Sequence, residues 1–123
     1  MNFKLELVQV PVTDVDAAID FYVNKAGFTL DHDHHVADDL RFVQITPPGS
    51  ACTIALGVGL SKMTPGSVEG PQVVVDSAAE ARDALAAGGV EVSEVQEFPW
   101  GRFVFFSDPD GNGWAAQQAV VPS

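Results

Sequence analysis

The order strand, helix and three further strands runs through this sequence twice, and a chain that repeats itself at half its length has few folds open to it. In the first copy, Leu5 to Val12 reads as a strand, with β-branched Val8, Val10 and Val12 and with Glu6 and Gln9 set among apolar residues. Thr13 or Asp14 can cap the helix that follows, because a side-chain oxygen there satisfies a free backbone N–H. Val15, Ala18, Ile19 and Tyr22 recur on one helical face, so a helix is expected from about Val15 to Lys25, ended by Gly27. Phe28-Thr29-Leu30 opens a second strand, Leu40 to Thr46 a third and Cys52 to Val58 a fourth. Pro47-Pro48-Gly49-Ser50 turns the chain between the last two.

From Gly59 to Gly70 the residues change to Gly, Ser, Pro and Thr, and the pattern then restarts. Val73-Val74-Val75 is a strand, and Ser77-Ala78-Ala79-Glu80 has the form of a capping box. Ala78, Ala81 and Leu85 stripe the second helix, which Gly88-Gly89 ends. Val90 to Val95, Gly101 to Phe106 and Trp114 to Val120 are the remaining strands. Val12-Thr13-Asp14 aligns with Val75-Asp76-Ser77. The expectation is one α+β domain over residues 1–123, built of two tandem βαβββ repeats at about 3–58 and 71–121, with a linker at 59–70. Each repeat exposes one sheet face, so pairing the two forms a curved mixed-sheet cup.

Charge narrows the partners. Six Lys and Arg stand against 17 Asp and Glu, a formal net charge of −11 that repels phosphate backbones and anionic membranes. Neither nucleic acid nor membrane is expected as a partner, whereas a cationic ligand would be drawn in. A solvated acidic surface is the plainer reading. No apolar run approaches a membrane span, and Met1 to Lys4 lack the pattern of a signal peptide. Cys52 is the one cysteine and sits in an apolar stretch, so it reads as a small buried hydrophobe in a reducing, cytoplasmic setting.

Two segments carry a family resemblance. Val12-Thr13-Asp14-Val15-Asp16-Ala17-Ala18-Ile19-Asp20-Phe21-Tyr22, followed by Gly27-Phe28, is similar to the opening of vicinal-oxygen-chelate proteins. That superfamily holds the glyoxalases, bleomycin-resistance proteins and extradiol dioxygenases. Phe105-Phe106-Ser107-Asp108-Pro109-Asp110-Gly111-Asn112 resembles its penultimate turn. Proline and glycine dihedrals with Asx side-chain bonds explain that turn as a tight hairpin with no chemistry of its own. With the duplication, the resemblance covers nearly the whole chain.

The resemblance implies a divalent metal held in the cup by His, Gln or Glu from both halves, polarising vicinal oxygens of a substrate. The matching positions here are Leu7, Gly70 and Ala115, and Cys52 to Leu56 supplies neither acid nor histidine. These cannot ligate a metal, so no metal, cofactor or catalytic residue is assigned. Glu6 and Glu69 each lie one residue off, and a one-residue shift turns a strand side chain to the other face. Displaced ligands Glu69, Gln117 and Gln9 remain an alternative, as does a peripheral site at His32, His34 and His35 with Asp38 or Asp39 nearby.

A cup without ligands is still a pocket. Leu7 and Gln9 of the first strand, Gln72 of the fifth, and Ala115 and Gln117 of the last would line it, with Trp100 stacking at the mouth or covering the core edge. Apolar walls with a few amides suit a small organic molecule, cationic or aromatic. The resemblance to metal-free bleomycin-resistance proteins also implies a homodimer. Three functions stay open: a metal-independent small-molecule-binding protein, a metal-dependent lyase, isomerase or dioxygenase with non-standard ligands, and an interaction module.

Overall fold

The computed structural model describes residues 1–119. Its elements are β1 (Leu7–Gln9), α1 (Val15–Ile19), β2 (Thr29–Ala37), β3 (Leu40–Thr46), β4 (Thr53–Val58), β5 (Glu69–Val75), α2 (Ala78–Ala87), β6 (Gln96–Phe98), β7 (Gly101–Ser107) and β8 (Gly113–Gln118). They form two four-stranded mixed sheets, ordered β1-β4-β3-β2 and β5-β8-β7-β6. In each, the repeat's first strand runs parallel to its last at one edge, and the other pairings are antiparallel. The duplicated α+β architecture read from the sequence is therefore the architecture of the molecule.

Each helix covers one face of its own sheet. Asp14 caps α1 by accepting from the Ala17 N–H at 3.1 Å. The helix passes without a break into a π-helical stretch, Asp20–Lys25, in which the Ala26 N–H donates to the Phe21 carbonyl. A regular α-helix was the expectation over this stretch. The wider turn lets the neighbouring rings of Phe21 and Tyr22 both enter the core, where both are buried. Ser77 accepts from the Glu80 N–H at 3.2 Å, one half of the capping box. The Ala78 N–H at the start of α2 donates to the side chain of Gln118, from the last strand.

Val10, Val43, Ile45, Ile54 and Leu56 pack under α1, and Val104 and Ala116 pack with Ala78 under α2. Strand alternation then sends Leu7, Gln9, Gln44, Thr53 and Ala55 to the opposite face of the first sheet. It sends Gln72, Val74, Phe103, Phe105, Ala115 and Gln117 to the opposite face of the second. These two faces are called outer here.

The halves join on their helix sides, through a buried polar rivet. Tyr22 donates its hydroxyl to Asp108 at 2.7 Å and accepts from the Trp114 indole N–H at 3.0 Å. Asn112, fully buried, donates its side-chain amide to Asp108 and to the Pro11 carbonyl, and its side-chain Oδ1 accepts from the Val68 N–H. Burial first, and the adjacent Asp108 carboxylate second, hold the Tyr22 hydroxyl well above the ordinary phenol range, so it remains a neutral donor. The Asp108–Asn112 turn is thus a hairpin, as expected, and also the lock between the repeats.

Several boundaries differ from expectation. β1 is only Leu7–Gln9, because Leu5 has no strand beside it. β2 continues to Ala37, so His32, His34 and His35 lie on a strand, toward its hairpin with β3. β5 begins at Glu69, inside the stretch read as linker. Val90 to Val95 is not a strand: Val92 makes a single bridge to Phe106, and the Ser93 hydroxyl replaces a carbonyl in accepting the Phe105 N–H, which breaks the ladder. The sixth strand is instead Gln96–Phe98. Cys52 is half-buried rather than buried, its thiol against the Thr53 carbonyl. β8 ends at Gln118, and the expected continuation to residues 120 and 121 lies outside the described residues.

Candidate functional site on the outer sheet faces

The outer face of the second sheet joins amides to aromatic rings. Gln72 donates its side-chain amide to Gln117 Oε1 at 2.8 Å, and Gln117 Nε2 donates to the Trp100 carbonyl at 2.9 Å. Gln117 can reach that carbonyl because Gly101 has no side chain: a Cβ there would lie 2.5 Å from Gln117 Nε2, and Gly101 has a φ of 151°. The Trp100 ring stacks on Phe98 at 5.2 Å and 11° and is 66% exposed. Phe98 meets Phe103 edge-on, and Phe103 stacks on Phe105. Four aromatic side chains therefore form a continuous wall beside two linked amides.

Phe105 and Ala115 also line a neighbouring cavity of about 620 Å³, which Trp100, Gln72 and Gln117 do not line; it reaches the core residue Trp114 and carries Glu69 and Glu91 on its lining. The wall supplies apolar contact, and the two carboxylates add negative charge to a chain that is already strongly acidic.

Gln72, Trp100, Ala115 and Gln117 thus share one surface. Leu7 and Gln9 lie apart from them, on the outer face of the first sheet beside Thr53 and Ala55. There Gln44 donates to the Thr53 hydroxyl at 2.9 Å, and His32, His34 and Phe42 stack in a row. Among the described residues no hydrogen bond or ladder links the two outer faces. Phe98 and Trp100 were legible in the sequence as neighbours ahead of the seventh strand; what the reading missed is that Phe103 and Phe105 join them in one surface. The alternation of Phe103 and Phe105 along β7 was the available signal.

The residues do not fit a metal. Glu69 pairs with Gly113, four residues along β8 from Gln117, which places those rows about 13 Å apart, too far to share an ion. Among the described residues no three His, Cys, Asp or Glu side chains converge. His35 lies on the opposite face from His32 and His34, 3.5 Å from Asp33. Arg41 holds the Asp33 carboxyl below the usual carboxylate range through a two-pronged hydrogen bond, and also pairs with Asp16 of α1.

Two βαβββ units with an amide-and-aromatic face define a duplicated small-domain class, and the comparisons place the chain within it. The chain belongs to the Glyoxalase/Bleomycin resistance protein/Dioxygenase superfamily, whose family model matches residues 4–116. It is similar to TnmS3, an antibiotic binding protein from Streptomyces sp. CB03234, at 34% identity and a TM-score of 0.86, covering 97% of this chain and 98% of that one. A glyoxalase/bleomycin resistance protein from the same Streptomyces is 36% identical, with a TM-score of 0.81 over 94% of this chain and 100% of that one. An uncharacterized protein of Shewanella frigidimarina is 33% identical over 93% of this chain and 92% of its own length. No helix among the described residues is long and apolar enough to cross a membrane.

Proposed function

We propose that this chain binds a planar, aromatic and cationic small molecule of the antibiotic type, without a metal and without chemical conversion. One observation carries the reading: Trp100 stands exposed on Phe98, with its carbonyl fixed by the Gln117–Gln72 amide pair. A stacked, exposed indole beside oriented amides offers a planar ligand a face and a hydrogen-bonding edge. Glu69 and Glu91 favour positive charge on that ligand. The similarity to an antibiotic binding protein supports the ligand class. The misfit of Glu69, Gln117 and Gln9 as a ligand set speaks for metal independence.

In this reading Leu7 and Gln9 face the same ligand from a second copy, since one chain leaves both outer faces open. The working form is a homodimer, with the cup between sheets of different chains. A lone free thiol fits a cytoplasmic location. The test is a fluorescence titration with planar aromatic cations such as proflavine. Quenching of Trp100 with saturable binding, lost in Trp100→Ala, is the expected result. Equal binding by Trp100→Ala would contradict the site.

A further inference from the structure

The two repeats meet at two seams that the duplication makes equivalent, and only one of them is filled. At the first, the turn at 108–112 of the second repeat closes on the first repeat. Asn112 donates to the Pro11 carbonyl at 2.8 Å, and the Thr13 N–H donates to Asp110 at 3.1 Å. Phe21 and Tyr22 pack their rings against Phe106 and Trp114 of the other repeat. At the second seam, the turn at 47–50 of the first repeat faces β5 and α2 of the second across an open space. Among the described residues no hydrogen bond joins that turn to either element.

The space is a cavity of about 410 Å³, walled by Val73 and Val75 of β5, Ala81 and Ala84 of α2, and the buried rings of Phe28 and Phe106. Its cause is in the sequence. Counted from the caps Asp14 and Ser77, Phe21 and Tyr22 of the first repeat correspond to Ala84 and Leu85 of the second. Two rings are thus replaced by a methyl group and a leucine side chain. α2 packs on β7 and β8, which leaves Val73 and Val75 on the inner face of β5 only partly buried. No ionisable side chain lines the cavity. Its polar side chains are already engaged, the Ser50 hydroxyl with the Cys52 backbone and the Gln72 amide with Gln117. A charged occupant would give up its hydration there without a partner, whereas an apolar one gains by leaving water.

We propose that this inner cavity is a second binding site, for an uncharged, largely apolar small molecule of about two rings, which takes the place at the second seam that Phe21 and Tyr22 take at the first. It is separate from the site on the outer face. β5 divides the two, with Val73 and Val75 turned inward and Gln72 and Val74 outward. A molecule bound there touches α2, β5 and the turn at 47–50 together, so it ties the two repeats to each other. It binds whether or not the outer face holds a cation.

The test is a titration of the full chain with N-phenyl-1-naphthylamine, an uncharged probe that fluoresces in apolar surroundings, read by fluorescence, methyl NMR and thermal melting. Saturable binding is expected, with shifts at the methyl groups of Val73, Val75, Ala81 and Leu85 and a raised thermal midpoint. Ala84→Phe supplies at the second seam the ring that Phe21 supplies at the first, and should weaken the probe at least about tenfold with circular dichroism unchanged. Trp100→Ala should bind the probe as the unaltered chain does. Three results would each overturn the proposal: no saturable binding by the unaltered chain, methyl shifts confined to the outer face, or a folded Ala84→Phe that binds the probe unchanged. If Ala84→Phe does not fold, the methyl shifts of the unaltered chain decide. A chain that binds the naphthylamine in the cavity but takes no proflavine would sink the proposed function and leave the inner site standing.

Discussion

At the scale of single residues, two side chains bear the most weight for opposite reasons. Trp100 is exposed, so truncating it removes ligand contact and little else: Trp100→Ala should lower affinity for a planar cation about tenfold or more, with the thermal midpoint nearly unchanged, by titration and melting on one sample. Tyr22 is the reverse, fully buried and without access to ligand. Tyr22→Phe leaves the Asp108 carboxylate and the Trp114 indole each short of a partner and should cost about 2–3 kcal/mol in denaturant unfolding. Its pH behaviour follows from the raised hydroxyl pKa. The unfolded phenol ionises near pH 10, as is usual for tyrosine. The folded one holds its proton, so this contribution is complete below about pH 10 and is lost as pH rises further. Tyr22→Phe should unfold more easily at neutral pH and show a flatter loss of stability on the alkaline side.

At the scale of elements, the strands with strong local patterning were legible and the irregular ones were not. Leu40–Thr46 is rich in apolar and β-branched residues and forms β3 as read, and the Gly, Pro and Asx turns stand where their backbone dihedrals require them. Val90 to Val95 has the composition of a strand, yet a serine hydroxyl takes over the ladder bond, and that competition is invisible in propensity. The π-helical stretch is equally hidden, since it is the shared core of two repeats that draws both Phe21 and Tyr22 inward. Asp108 and Asn112 looked like turn residues only, because their partners Tyr22 and Pro11 are distant in sequence. In the site, the amide positions could be read from strand periodicity, whereas the link from Gln117 to the Trp100 carbonyl depends on the β6–β7 turn. Gly101→Ala tests that link. The new methyl group would displace the Gln117 amide, and proflavine affinity should fall several-fold with the fold retained in circular dichroism.

At the scale of the whole molecule, charge and duplication act together. The repeats supply two similar faces, and a net charge of −11 supplies a field that gathers cations at them. Screening should weaken that field: affinity for proflavine should fall as ionic strength rises from low to physiological, and a neutral planar analogue should show little salt dependence. Exhaustive chelation should leave proflavine binding unchanged, because the positions that could ligate a metal are apolar or about 13 Å apart along the sheet. Metal-restored binding after chelation would point instead to the lyase, isomerase or dioxygenase reading.

The central claim is that a planar ligand sits on the amide-and-aromatic outer face, and the most direct measurement is an NMR titration of the isotope-labelled chain with proflavine. The account predicts the largest shifts at the Trp100 indole N–H and the side-chain amides of Gln72 and Gln117, with smaller ones at Gln9, and none at the Trp114 indole in the core. Shifts confined to other surfaces, with Trp100, Gln72 and Gln117 unmoved, would contradict it.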